Sequence, residues 1–198
     1  MRRRSRRQSG QAQPYHEEVA RHRLYTIGHS THSIEEFVAL LKAHGVEHLV
    51  DVRSIPKSRH CPQFNADALE SSLGGAGIGY TLLKTLGGRR HSRKTSINTG
   101  WRNASFRGYA DYMSTSGFAE GLAELIAIAE KSPTAIMCAE AVPWRCHRSL
   151  IADAMVVRGW EAREIISAAE PREHRLTPFL KVVDGRITYP QPDELNFI

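Results

Sequence analysis

Between Cys138 and Arg148 the chain gathers two thiols (Cys138, Cys146), a carboxylate (Glu140), an imidazole (His147) and two guanidiniums (Arg145, Arg148). Such groups cost free energy to hold close together unless each finds a partner, so the stretch reads as a site. The residues on either side say how it is held. Thr134 to Met137 is a short apolar run that reads as a buried strand, and Leu150, Ile151, Ala154 and Met155 give the segment after it one apolar helical face. A strand-to-helix turn at the carboxyl end of a strand is where open α/β sheets carry their ligands.

Three chemistries are open to these residues. The first is anion binding. Arg148 falls in the first turn of the helix, against the preference of the helix dipole, and an anion there would be stabilised by the helix end and the guanidinium together. Glu140 is then a candidate acid or base, the alternative being that it pairs with Arg148 or Arg53 to fix the loop. The second is sulfur chemistry, since nearby arginines lower a thiol pKa and make Cys138, with Cys146, a candidate thiol centre. Cysteine loops of the phosphatase or rhodanese kind place the arginine after five intervening residues, whereas six separate Cys138 from Arg145, and Pro143 and Trp144 stiffen the loop. The third is a metal held by Cys138, Cys146 and His147 with Cys61 or His60. No C-x2-4-C pair is present, Cys146 and His147 are adjacent, and no metal is expected. Cys61 is read as an inert cysteine.

Two further polar clusters follow predicted strands. Gly28-His29-Ser30 resembles a short anion-cradling turn, with Gly28 and Ser30 on the anion and His29 as a base or a loop-fixing hydrogen-bond partner. Asp51 and Arg53, two apart, point to one side of an extended chain. They are either an ion pair closing the strand, or Arg53 on a ligand anion with Asp51 as proton acceptor.

The net charge of +6 is unevenly placed. Five arginines lie in the first seven residues, and from Ser71 to Ala110 there are seven basic residues and no acidic one, which leaves the remainder net acidic. Concentrated positive charge suits an anionic partner. In the central segment Arg89, Arg90, Arg93, Lys94 and Arg102 stand beside Trp101 and Phe106, a mixture suited to holding a polynucleotide by charge and stacking. The arginine-rich start is a solvated tail or a non-specific nucleic-acid arm.

These residues need a scaffold, and the pattern supplies one. Strands are expected over Arg23–Ile27, His48–Val52, Tyr80–Leu83, Thr134–Met137 and Glu161–Ser167. Helices are expected from Ser33, with a capping box to Glu36, from Asn65 to Leu73, from about Tyr109 to Lys131 with a break near Gly117, and after Cys146. Phe179 to Tyr189 reads as a hairpin turning at Asp184-Gly185. Strands alternating with helices predict an α/β fold: three layers, a largely parallel five-stranded Rossmann-like sheet with helices on both faces, and a C-terminal β-hairpin. Residues 1–22 are expected as a disordered basic tail, 23–190 as one α/β domain and 191–198 as a C-terminal tail. With the order 3-2-1-4-5 the turns after the first, second and fourth strands converge. No apolar run approaches the ~20 residues of a membrane helix, and three cysteines argue for a reducing, cytoplasmic setting without a disulfide framework.

Gly28-His29-Ser30, Asp51-Val52-Arg53, Phe64-Asn65, Gly87-Gly88 and Cys138-x-Glu140 followed by Cys146-His147-Arg148 resemble, in this order, the family called domain of unknown function 488, DUF488. The resemblance spans roughly Tyr25 to Pro190 and implies a compact bacterial or archaeal α/β protein whose activity is unassigned. The residues themselves lead to an expectation of a site that binds, and as an enzyme hydrolyses, a phosphate-bearing nucleotide or nucleic acid. There Arg53 and Arg148 hold the anion, and Glu140, Asp51 and His29 supply acid and base. The alternatives are a non-catalytic nucleic-acid or small-anion regulator, and a thiol or redox protein using Cys138. The sequence requires no cofactor and fixes no oligomeric state.

Overall fold

The computed structural model describes residues 22–191. The tails expected over 1–22 and 191–198 therefore lie, apart from His22 and Gln191, outside the described residues. Five parallel strands form the centre: β1 (Arg23–Gly28), β2 (His48–Asp51), β3 (Gly79–Leu82), β4 (Thr134–Cys138) and β5 (Glu161–Ile165). A two-residue strand, β6 (Arg172–Glu173), adds to β5 antiparallel and makes the sheet six-stranded.

The order is β3-β2-β4-β1-β5-β6. It departs from the expected 3-2-1-4-5 in one exchange, because β4 inserts between β2 and β1. Its five residues are all buried, so it takes a central place. Cys138 consequently stands at the middle of the sheet's carboxyl edge, with the turns after β1 and β2 on either side. The chain runs from β1 through β2 to β3 in one direction and back through β4 to β5 in the other. Right-handed crossovers then put the helices on opposite faces.

Alternation along the strands builds the two halves of the core. On one face Tyr25, Ile27, Leu49, Ala135 and Met137 pack against α1 (Ile34–Ala43) and α2 (Ala66–Gly75). On the other, Leu24, Val50, Ile136 and Cys138 meet α3 (Ala104–Tyr112), α4 (Ser116–Ala129) and α5 (Arg148–Val157). The capping box of α1 is formed, with Ser33 Oγ accepting from Glu36 N–H (3.1 Å) and the Glu36 carboxylate accepting from Ser33 N–H (3.0 Å). Asn65 occupies the N-cap position of α2 without capping it, because its Oδ1 accepts from Ser58 N–H instead. The segment expected as helical with a break near Gly117 is two helices. Asn103 caps α3 six residues before the apolar pattern begins at Tyr109, and Thr115 caps α4, so the break precedes Gly117.

The central basic segment has no regular structure over 87–103, yet it is tied down. Asp111, buried on α3, accepts from Arg93 N–H, Ser96 Oγ and Asn98 Nδ2, while Asn98 Oδ1 accepts from Tyr189 N–H far along the chain. The expected hairpin is β7 (Lys181–Val183) and β8 (Arg186–Thr188), and its turn residues Asp184 and Gly185 both take positive φ, as a two-residue I′ turn requires. Among the described residues no helix is long and apolar enough to cross a membrane.

Candidate functional site

A pocket of about 320 Å³ opens at the carboxyl edge of the sheet. Cys138 and Cys146 line it together with Arg53, Arg89, Phe106 and Arg145. Strand β4 delivers Cys138; the 3-10 turn Pro143–Arg145 delivers Arg145 and hands over to Cys146 and α5. The stiff Pro143-Trp144 pair thus fixes the height at which the second sulfur returns to the first.

The two sulfurs meet. The Cys138 and Cys146 sulfurs are in contact, with Cα atoms 7.5 Å apart, while Cys61 is free. The three cysteines make no disulfide framework: two meet in this loop and the third stands apart from them. Arg148 comes up beneath the pair with 1% of its surface exposed. Its Nη1 donates to Cys138 Sγ (2.8 Å) and to the Glu140 carbonyl (2.7 Å), and Nη2 donates to the Ala141 carbonyl (3.0 Å). Arg148 forms no ion pair among the described residues. Burial lowers its pKa to about 10, which keeps it charged at neutral pH. Expected as a ligand-binding arginine, Arg148 donates to the loop carbonyls and the Cys138 sulfur, while its Nε is buried with no hydrogen-bond partner among the described residues.

His147 serves the second sulfur. Its Nε2 lies 2.9 Å from the Val52 carbonyl, which can only accept, so Nε2 carries the hydrogen and Nδ1 presents its lone pair to Cys146 Sγ at 3.5 Å. Burial, with smaller contributions from Arg148 and Arg90, lowers the His147 pKa to about 4 against the Val52 hydrogen bond, so the ring is neutral. Gly88 admits this ring, since a Cβ there would stand 2.3 Å from Nδ1.

Asp51 and Arg53 are a closed unit. Asp51 is fully buried, accepts from Arg53 N–H (3.0 Å), Nε (2.8 Å) and Nη2 (2.5 Å), and takes the Tyr80 hydroxyl at 2.9 Å. No Asp51 oxygen is left to face the pocket. Arg53 borders the pocket, with Nη2 also on the Phe64 carbonyl and Nη1 3.3 Å from His29 Nε2. His29 is buried and stacked on Phe64, its Nδ1–H donating to the Ser30 carbonyl. Burial, reinforced by Arg53, lowers its pKa to about 4.

In the turn after β1, expected to cradle an anion, two backbone N–H groups are used within the chain. His29 N–H and Ser30 N–H donate to the carbonyls of Cys138 and Ala139, prolonging the β1–β4 ladder. Gly28 is required for another reason: a Cβ would stand 1.9 Å from the Glu140 carbonyl oxygen. Of the three candidate acid–base residues, only Glu140 lines the pocket.

The basic segment divides. Arg89 lines the pocket, and neither its guanidinium nor that of Arg145 makes an ion pair or side-chain hydrogen bond among the described residues. Arg90 lies over the Tyr112 ring at 3.7 Å and donates to the Thr85 carbonyl. Arg93, Lys94 and Arg102 are exposed and outside this pocket. Trp101 packs against Phe106, Phe179 and Tyr189. Arg145 and His147, from the Cys138–Arg148 stretch, and Phe106, read beside the basic residues as a stacking partner, all line the pocket, Phe106 being brought in by the start of α3. Among the described residues no group of three or more His, Cys, Asp or Glu is placed to hold a metal.

Compared with known proteins, residues 33–155 match a family model described as domain of unknown function DUF488. No curated protein and no solved structure matches the chain.

Proposed function

We propose that this chain, which belongs to the DUF488 family, performs thiol–disulfide exchange at Cys138 and Cys146 within a pocket that receives a phosphate-bearing or similarly anionic ligand. The family match assigns no reaction, so the reading comes from the residues. One observation carries the reading: a buried guanidinium without a carboxylate partner donates to Cys138 Sγ, which also touches Cys146. A buried cation without an ion pair is costly, and the Glu164 and Glu140 carboxylates offset only part of that burial. Cys138 as a thiolate supplies the missing negative charge.

The exchange then has a direction. An incoming thiolate attacks Cys146 Sγ, forming a mixed disulfide and breaking the bond to Cys138. The electron pair departs on Cys138, the sulfur whose anion Arg148 stabilises, and a lower leaving-group pKa speeds this step. A second thiolate attacks the added sulfur, releases the small disulfide, and leaves Cys146 to take a proton beside His147 Nδ1. Two thiols are oxidised to one disulfide and the protein pair gains the two electrons. Arg89 and Arg145, both without an ion pair among the described residues, give an anionic ligand its counter-charge, and Arg53, already paired with Asp51, borders it.

Hydrolysis by Glu140, Asp51 and His29 has weaker support, because Asp51 is saturated and His29 lies outside the pocket. A regulator that only binds anions would share the arginines and lack a reactive thiol. Alkylation of the reduced protein by iodoacetamide from about pH 5 to about pH 9, read by mass spectrometry, separates the two. Cys138 is expected to label with a midpoint well below the free-cysteine value of about 8.5. Labelling of Cys138 only at or above that value would reject the reading.

A further inference from the structure

Beside the sulfur pair lies a second cavity, of about 440 Å³, which shares Phe106, Glu140 and Arg145 with the first and adds Trp101, Asn103 and Trp144. Its two aromatic walls are built differently. Trp101 and Phe106 lie against each other with centroids 4.7 Å apart and are backed by Phe179 and Tyr189. Trp144, carried on the Pro143–Arg145 turn, is 62% exposed and stacks on no other ring among the described residues. A large indole left in water beside a cavity, with fixed rings lining the same cavity, marks a place for a flat apolar group.

The remaining lining says what that group carries. Asn103 Oδ1 is used in capping α3, which leaves its Nδ2 as a donor, and the Glu140 carboxylate makes no hydrogen bond or ion pair among the described residues and can accept. Arg145 spans both cavities, and Arg53 and Arg89 stand in the first. A flat ring with donors and acceptors on its edge, joined to an anion, is a nucleobase joined to a phosphate. We propose that the Trp144 cavity stacks the base of a nucleotide whose phosphate sits between Arg89 and Arg145. The proposal rests on this pocket being the ligand site, as above, and not on its sulfur chemistry. Beyond the slot a larger cavity, of about 790 Å³, shares Trp101 and Trp144 and is lined by Arg172 and Arg175 together with Glu164 and Glu173.

The test is calorimetric titration of the full chain with adenosine monophosphate and with ribose 5-phosphate, which keeps the anion and lacks the base. The nucleotide is expected to bind at least about tenfold more tightly, the order that stacking one base supplies. Trp144→Ala should erase that ratio, leave ribose 5-phosphate binding unchanged, and be rescued by Trp144→Phe. Equal affinities in the wild type, or a ratio that survives Trp144→Ala, overturn the proposal. A single-stranded trinucleotide binding more tightly than the monomer identifies a strand as the source, and equal binding identifies free nucleotide; either result upholds the slot. Base discrimination with an inert Cys138 would sink the exchange reading alone, and a reactive Cys138 without discrimination would sink the slot alone.

Discussion

Arg148 is a cation that the fold has buried and then surrounded with acceptors of no full charge: two loop carbonyls and a sulfur. A hydrogen bond to a charged group contributes about 1.5–3 kcal/mol, and one pKa unit corresponds to about 1.4 kcal/mol. Arg148→Met, which keeps the stem and removes the charge, is therefore expected to raise the alkylation midpoint of Cys138 by about one to two pH units. Arg148→Lys should fall between, keeping a charge but losing the fork that spans Glu140 and Ala141. An unmoved midpoint in Arg148→Met would show that the guanidinium serves the loop alone. The sequence made this cluster legible as a site because strand, turn and helix could be read around it. The Asp51–Arg53 ion pair was one of two readings; that Tyr80, 29 residues on, also occupies Asp51, and that Arg148 turns back to carbonyls seven and eight residues before it, depends on how the loops fold and could not be read.

At the scale of elements, the pocket's basic wall is held by a residue that looks like surface. Asp111 sits on α3 in a run with little apolar periodicity, yet it is buried and accepts three hydrogen bonds from the loop that carries Arg89. Those bonds also hold its pKa below the usual carboxylate range against the burial that would raise it. Asp111→Ala leaves the Arg93 N–H, the Ser96 hydroxyl and the Asn98 amide without their acceptor. It is expected to cost about 2–4 kcal/mol in urea denaturation and to open residues 87–103 to limited proteolysis. A protected loop in that variant would show that the Asn98–Tyr189 contact suffices. The opposite error, too much atom, is available at Gly28, where a methyl meets the Glu140 carbonyl oxygen. Gly28→Ala should cost at least about 1–3 kcal/mol by overpacking, read as a lowered Tm. Elements with local signals were legible: the Ser33–Glu36 box, the Asp184-Gly185 turn, the alternation that sorts each strand between two helix layers. The order of β1 and β4 was not, because both are buried apolar strands and nothing local distinguishes the centre from its neighbour.

Across the whole molecule, the buried His29 and His174 and the partly buried His147 shape how stability follows pH, and they pull in opposite directions. Burial would lower His174, but hydrogen bonds and charge from Asp153 and Glu164 overcome it and carry its pKa up to about 9. Asp153 also accepts from Thr177 and from the Tyr189 hydroxyl, so this cluster fastens the C-terminal segment to α5. A raised folded-state pKa contributes stability that is complete below the unfolded value of about 6.5 and is lost as pH rises through about 9. For His174, 8% exposed, the loss is roughly 3 kcal/mol. His29 and His147, both lowered to about 4 chiefly by burial, act the other way. Their contribution is complete above about 6.5 and is lost as pH falls through about 4, where imidazoles held neutral in the core must take a proton. Stability should thus be greatest near pH 6.5 and decline on both sides. His174→Gln is expected to lower stability at pH 6.5 and flatten the alkaline limb up to about pH 9 while leaving the acid limb in place, measured as urea midpoints across the range. An alkaline limb that persists undiminished in His174→Gln would mean that another group titrates there and that His174 does not carry its charge in the fold.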